Sequence, residues 1–413
     1  MFITNYHYLK NKEIYIIVFL FLFSFFSRIP VILLFGDTSL EYEWVFLVSN
    51  LIEHGKLVYQ TLDNGFLLPN LWMPPLYAYY LYLFSFFNLE NSHYILIILF
   101  SQSILASISI IFFYKINKIF FSKEISVLSS IIFSAFPLHL YACSQISSIS
   151  LQVCLTIIFF YYFLQVPIKK NFLSIFFLSF ISGLLILLRG EFWAIFLISV
   201  IYLFIFFKIP KKQIMLILII SLVVTSPYLI RNYVIFNKIT VLQSFGYNLW
   251  KGNHPEALKN SRVEGAEMYN SELQKKVDSV SKDKYYLIEK DKIFLNLAIE
   301  NIKKDPLGYF IFFIKKGLSL ILISPDSMDK RYWHPLHYIP VLIIGITSLF
   351  GVLFSNKKST YLNYLILIFL VNIFIFSTVS ILPRYKLAIL PLQIIFTNVL
   401  LERIKEKFFK KNI

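Results

Sequence analysis

The chain has 413 residues, 58% of them hydrophobic and 19% aromatic, with a mean hydropathy of +0.69. A soluble domain is nearer about 45–50% apolar, so this composition excludes a soluble enzyme and predicts a polytopic membrane protein of about ten crossings. The net charge of +16 points to basic cytoplasmic loops and not to nucleic acid, and Cys143 and Cys154, both in apolar runs, indicate neither a disulfide framework nor a zinc site.

Lys10 and Lys12 precede the first apolar run, residues 14–35, which reads as a signal anchor with its N-terminus in the cytoplasm. The loop that follows, 36–92, is then outside. Its first part carries Asp37, Glu41, Glu43 and Glu53 in a chain with only 23 acidic residues. Carboxylates beside a bilayer are costly to desolvate and are functional candidates for that reason. Glu41 and Glu43 point the same way in an extended segment and diverge in a helix. Residues 74–88 are short and rich in Tyr, so they read as an interfacial or re-entrant helix.

Crossings are expected at 93–116, 125–142, 147–166, 171–188, 191–207 and 212–230. Lysines at 115, 118 and 123, at 169 and 170, and at 208, 211 and 212 then all fall inside. Positions 251–310 break the pattern, with 21 of the chain's 62 charged residues. They predict a soluble extracytoplasmic insertion with a helix over Met268–Lys304. A short apolar stretch at 309–324 contains Lys315 and Lys316 and is not expected to cross. The last crossings are expected at 336–355, 361–380 and 385–402, ahead of a basic tail. Three regions follow: a transmembrane module to residue 230, an insertion with a re-entrant segment over 231–335, and C-terminal helices over 336–413.

This topology gathers chemistry on one face. Nine of the thirteen acids outside the insertion lie outside, as do Arg189, Arg231, Arg331, Arg384 and Lys386, with Arg28 near the outer end of its span. Arginine at a lipid boundary suits phosphate through its planar donor fork, and it equally serves as a helix-end anchor. Acids, arginines and an aromatic-rich groove together suggest a phosphorylated lipid substrate. The sequence contains no HExxH, GxSxG, P-loop or Rossmann pattern.

Four motifs, in order, carry a resemblance. The acidic loop leads into Val48-Ser49-Asn50-Leu51 and Pro74-Pro75-Leu76-Tyr77. Leu188-Arg189-Gly190-Glu191 follows. Pro227-Tyr228-Leu229-Ile230-Arg231-Asn232-Tyr233 leads into Gly246-Tyr247-Asn248-Leu249-Trp250-Lys251-Gly252-Asn253-His254-Pro255. Pro383-Arg384-Tyr385-Lys386-Leu387, with Pro391, closes the set. The chain resembles the bacterial family 39 glycosyltransferases of the GT-C superfamily. These use polyprenyl-phosphate sugars and are related to protein O-mannosyltransferases and lipid A aminoarabinose transferases.

The resemblance implies an all-α GT-C-like bundle in the bacterial cytoplasmic membrane, with its active site at the outer face. It implies inverting transfer of a sugar from a polyprenyl-phosphate carrier to a lipid, glycan or protein acceptor. The catalytic base falls on Glu43 or Glu41, with Asp37 behind. Arg231, Arg384 and Lys386 are the expected phosphate ligands, with Arg189 second. Asn248, Trp250, Asn253 and Glu191 are candidates for sugar or acceptor contacts, although Trp250 also suits interfacial anchoring and the asparagines suit turn capping. A divalent cation is left open. Relatives often carry a second acid in the next outer loop, and residues 143–152 contain none. The alternatives are a lipid-linked glycan ligase or polymerase, or a non-catalytic protein that binds or flips a lipid-linked sugar. The chain shows neither the half-repeats nor the mid-span charges that a transporter predicts.

Overall fold

The first apolar run forms one long helix in the computed structural model, which describes residues 2–62, 65–88, 90–253, 271–323, 330–355, 359–379 and 382–409. This is α1, Phe2–Phe35. Arg28 lies in the last third of this helix. It is fully buried, donating to Ser24 O at 2.6 Å and to Cys143 Sγ at 3.3 Å, with its other terminal nitrogen 3.1 Å from His139 Nδ1.

The acidic loop is only partly a loop. Helix α2, Tyr42–His54, starts directly after Glu41 and stops at Gly55, whose φ of 61° is a left-handed cap. Glu41 is therefore the extended residue before the helix, and Glu43 lies in its first turn. A two-stranded hairpin follows, β1 (Val58–Thr61) and β2 (Leu67–Pro69), paired antiparallel with Val58 opposite Pro69 and Thr61 opposite Leu67. The sequence reading did not anticipate it. Helix α3, Pro75–Ser85, starts where Pro75 fits the first helical turn. Its eleven residues rise only about 16 Å, too little to cross a bilayer.

The bundle continues with α4 (Asn91–Phe120), α5 (Lys123–Ser134), α6 (Pro137–Ala142), α7 (Ile149–Lys169), α8 (Phe172–Leu188), α9 (Phe192–Ile205) and α10 (Lys211–Phe236). The crossing expected at 125–142 is two helices, because Pro137 cannot donate the backbone bond that would carry α5 onward. The insertion contributes α11 (Phe245–Gly252), α12 (Ser271–Asp278), α13 (Tyr286–Lys304) and α14 (Pro306–Ile321). The single helix expected over Met268–Lys304 is broken between α12 and α13, where Asp283 accepts from the Tyr285 amide at 2.7 Å. Residues 268–270 lie outside the described residues. Helices α15 (Pro335–Leu353), α16 (Thr360–Thr378) and α17 (Leu390–Phe409) complete the chain, with a 3₁₀ turn at Pro383–Ala388.

Six of these helices, α1, α4, α7, α10, α15 and α16, are long and apolar enough to cross a membrane, and α8 and α9 are shorter apolar helices. The protein is an all-α, multi-pass membrane protein. Packing runs α1 on α4, α4 on α7, α7 on α8 and α8 on α10, with α15 against α17. The two ends of the bundle differ. One end holds the Glu13–Lys118 ion pair at 2.6 Å and the Ser122 amide on Glu402 at 3.3 Å. The other holds Asp37, the 143–146 segment and Arg384.

Candidate functional site

At that second end lie Asp37, Glu41 ahead of α2 and Glu43 in its first turn, with Arg384 in electrostatic range of both glutamates and Lys251 of Glu43. Asp37 is pinned: its amide donates to Ser144 O at 2.9 Å and its Oδ2 accepts from the Ile146 amide at 2.6 Å. The 143–146 segment is held in turn by Gln102, whose amide donates to Gln145 O at 2.9 Å and whose oxygen accepts from Tyr77 at 2.9 Å. Tyr77, from the Pro-Pro-Leu-Tyr motif, also packs edge-on against Trp44 at 4.8 Å. The motif thus builds the floor under the acids. The 143–146 segment contains no acid, and its backbone anchors Asp37.

Burial raises the pKa of all three acids. For Asp37 the Ile146 amide opposes it. For Glu41 the Arg384 guanidinium opposes it and the Asp37 charge adds to it. For Glu43 the Glu41 charge adds to it, while Lys251 and Arg384 oppose it. Arg384 therefore acts on both glutamates from some 340 residues away in sequence, and Lys251 acts on Glu43 from α11. Neither glutamate side chain forms an ion pair or hydrogen bond among the described residues. Arg384 faces both glutamates, and Lys251 faces Glu43, within electrostatic range.

Arg189, at the α8–α9 turn, approaches the same region. Its Nε donates to Gln152 at 2.8 Å and its guanidinium lies 5.6 Å over the Tyr385 ring, next to Arg384 in sequence. A narrow cleft there is lined by Gln152, Thr156, Arg189, Glu191 and Asn372 among others. Glu191 lines this cleft beside Arg189.

Other expected ligands are committed elsewhere. Lys386 is 4% exposed, and its three N–H donors go to Ser319 O, to Leu320 O at 3.0 Å and to Leu322 O at 2.5 Å. It caps the C-terminus of α14 and has no donor left for a phosphate. Burial pushes its pKa down to about 7, while three carbonyl acceptors favour the charged form. Arg231 spends three donors on Asn70 O, Asn232 Oδ1 and Leu57 O at 2.6–3.0 Å, holding the base of the hairpin. Asn248 donates to Ser244 O at 2.7 Å within its own helix. Asn253 donates to Leu249 O and Thr378 O and accepts from Lys316 at 2.5 Å. Trp250 is 5% exposed and packs on Phe294 at 4.8 Å, so it is a core residue of the insertion and not a sugar platform. Arg331, Asp326 and Asp329 are not among the residues whose side chains are described.

Sequence reasoning missed Asp291 and Lys316. Asp291 is 1% exposed and accepts from the Tyr247 amide at 2.9 Å at the start of α11. A Cβ at Gly246 would come 2.2 Å from Asp291 O, so the first glycine of the Gly-x-Asn-Leu-Trp motif serves this close approach. An acid among ten in a charged insertion gave no signal of its burial. Lys251 stood inside the quoted motif, but nothing in the sequence paired it with Glu43.

The described acid cluster offers no three-ligand set for a divalent cation. Among the described residues no three His, Cys, Asp or Glu side chains converge on one point. One Asp37 oxygen is taken by the Ile146 amide, and Arg384 and Lys251 already bring positive charge beside the glutamates.

No family profile and no curated protein sequence matches the chain. Solved structures do. The oligosaccharyltransferase of Archaeoglobus fulgidus in its apo form aligns with a TM-score of 0.56 at 13% identity, over 96% of this chain and 51% of that one. The same enzyme tethered to an acceptor peptide containing the NVT sequon gives 0.57 and 14%, over 96% and 50%. ArnT from Cupriavidus metallidurans bound to undecaprenyl phosphate gives 0.42 and 10%, over 95% and 78%. The chain shares its fold with the matched part of that oligosaccharyltransferase. It spans about half the length of the oligosaccharyltransferase.

Proposed function

We propose that this chain is a membrane glycosyltransferase that moves a sugar from a polyprenyl-phosphate carrier to an acceptor at the outer face of a bacterial cytoplasmic membrane. The observation that carries the reading is the exposed Arg384 within electrostatic range of both Glu41 and Glu43, with Lys251 acting on Glu43. The family 39 motifs supply the reaction class.

In this reading Glu43, or Glu41 beside it, takes a proton from the acceptor hydroxyl or amine. The acceptor atom attacks the anomeric carbon from the face opposite the phosphate. The bond between that carbon and the phosphate oxygen breaks, and the polyprenyl phosphate leaves with the electron pair. A base whose pKa is lifted toward the working pH accepts that proton more readily. Arg384 holds the developing phosphate charge through its fork, with Arg189, whose guanidinium lies over the Tyr385 ring, as the second cation. Lys386 and Arg231 serve the fold and leave this set. No step uses a metal.

The test is binding of undecaprenyl phosphate to the purified protein in nanodiscs, followed by sugar transfer with Glu43→Gln and Glu41→Gln. Saturable binding that Arg384→Ala abolishes, together with transfer that a glutamine variant abolishes, is the expected result. Binding unaffected by Arg384→Ala removes the phosphate assignment. Transfer retained in the double glutamine variant removes the base. Binding without any transfer in the wild type leaves the non-catalytic, sugar-carrier-binding reading.

A further inference from the structure

Lys251 and Arg384 reach the glutamates from segments far apart in the chain, and a buried knot ties those segments together. Lys316, on α14, is 1% exposed. Its ammonium donates to Gly252 O at 3.0 Å, to Asn253 Oδ1 at 2.5 Å and to Val379 O at 3.3 Å. The Asn253 amide donates onward to Leu249 O at 2.6 Å and to Thr378 O at 2.9 Å. Gly252 ends α11 and follows Lys251 directly. Thr378 ends α16, shortly before the turn that carries Arg384. Helix α14 can lie this close because its next residue is a glycine. A Cβ at Gly317 would come 3.1 Å from Ser377 Oγ and 3.3 Å from Ile373 Cγ2.

No carboxylate pairs with Lys316 among the hydrogen bonds and ion pairs of the described residues; its acceptors are neutral oxygens. A buried ammonium held only by neutral acceptors is a poor source of stability, since an apolar chain of the same shape avoids its desolvation. What the lysine adds is direction: three donors on three oxygens from two segments fix their relative position. Aliphatic packing alone fixes it less well.

We propose that Lys316, with Asn253, is a positioning residue that sets the ends of α11 and α16 so that Lys251 and Arg384 flank the glutamate cluster. This deepens the reading of Glu43 and Arg384 given above and rests on it for its functional consequence. The charged groups acting on Glu43 are Glu41, Lys251 and Arg384. Loosening the knot lets both cations drift, and the Glu43 carboxyl then holds its proton to higher pH.

The test reads the carboxyl itself. The full-length protein in nanodiscs is modified with a water-soluble carbodiimide across a pH series, and labelling at Glu43 is followed by mass spectrometry. Lys316→Met is expected to move the Glu43 midpoint up by about 0.5 pH unit, roughly threefold more label at a fixed pH above the midpoint. Lys316→Arg is expected to restore most of the wild-type profile. Asn253→Ala is expected to shift the profile the same way by less, and it carries the test if Lys316→Met does not fold. An unchanged Glu43 profile in a folded Lys316→Met protein, or in Asn253→Ala where that variant stands in, overturns the proposal. Undecaprenyl phosphate binding is measured on the same samples. A shifted profile in a protein whose wild type binds no undecaprenyl phosphate supports the knot and sinks the donor reading. Intact binding with no shift sinks the knot alone.

Discussion

The two ends of the bundle use the same residue types in opposite ways. At one end Lys118 reaches Glu13 at 2.6 Å, and Glu402 accepts the Ser122 amide. Those charges sit near water and are consumed by each other or by backbone. At the other end Glu41 and Glu43 lie in an environment that raises their pKa values, with Arg384 near enough to lower both and Lys251 near enough to lower that of Glu43. Contact closes a pair, whereas the exposed Arg384, near both glutamates and bonded to neither, keeps its donors for a third party. On the proposed function, that difference separates an anchoring end from a reacting one better than the number of charges at either.

The sharpest way to break the comparison is to neutralise one acid at each end. Glu43→Gln or Glu41→Gln is expected to lower transfer by about 10²–10⁴-fold, the range for loss of a general base. Glu13→Gln is expected to leave transfer within a factor of about two, because an exposed ion pair is worth roughly 0–1 kcal/mol. Initial rates with a polyprenyl-phosphate sugar donor measure both. Equal loss at the two ends would remove the distinction.

The cations sharpen it next. Arg384 is exposed and unbonded to the acids, so Arg384→Ala is expected to weaken undecaprenyl phosphate binding by about 10–100-fold. Arg384→Lys is expected to recover only part of it, since a point charge does not replace the fork. Isothermal titration in nanodiscs reads both.

Lys386, two residues on, is expected to behave in the reverse manner. Lys386→Met strips the partners from three carbonyls and is expected to destabilise the protein by about 1–3 kcal/mol, with affinity for undecaprenyl phosphate little changed. A thermal melt beside the same titration separates the two outcomes. Lost affinity at an unchanged melting temperature would return Lys386 to the phosphate site.

These two neighbours show where the sequence stopped being legible. Hydropathy was enough for a helical bundle, and the apolar runs at 14–35, 93–116 and 336–355 lie within or close to long helices. The motifs named Glu41, Glu43 and Arg384 together, and the structure puts Arg384 within electrostatic range of both glutamates. Sequence does not say which donors a cation has already spent. Lys386 and Arg384 differ by two positions, yet one is buried under α14 and the other faces solvent. The same limit hid the hairpin, whose base depends on Arg231 reaching Leu57 O and Asn70 O from α10. Glu41 and Glu43 raised a related problem: a helix through both would have parted them. The helix starts at Tyr42 instead, which leaves Glu41 extended beside the first turn.

The smallest expected effect concerns stability, and its sign follows from the acids. The pKa of Glu43 is raised in the folded protein above its ordinary 4.5, with burial the largest cause. Its position in the first turn of α2 favours the anion by roughly 0.3–1 kcal/mol, and Lys251 and Arg384 favour it too, but burial and Glu41 prevail. Between the ordinary value and the raised one the folded state binds more protons than the unfolded state. Stability contributed by this group is therefore present at low pH and lost as pH rises through that window. At pH 7 the ionised Glu43 weakens the fold. Glu43→Gln, which keeps the shape and removes the charge, is expected to raise the melting temperature by about 1–3 °C at pH 7. The gain is expected to vanish below about pH 4.5, where the wild-type carboxyl is protonated as well. Glu13→Gln, which removes an ion pair, is expected to show no such gain at either pH. A melting temperature that falls in Glu43→Gln at pH 7 would mean that the cations dominate burial at this carboxyl. The acidic end would then be a paired end like the other.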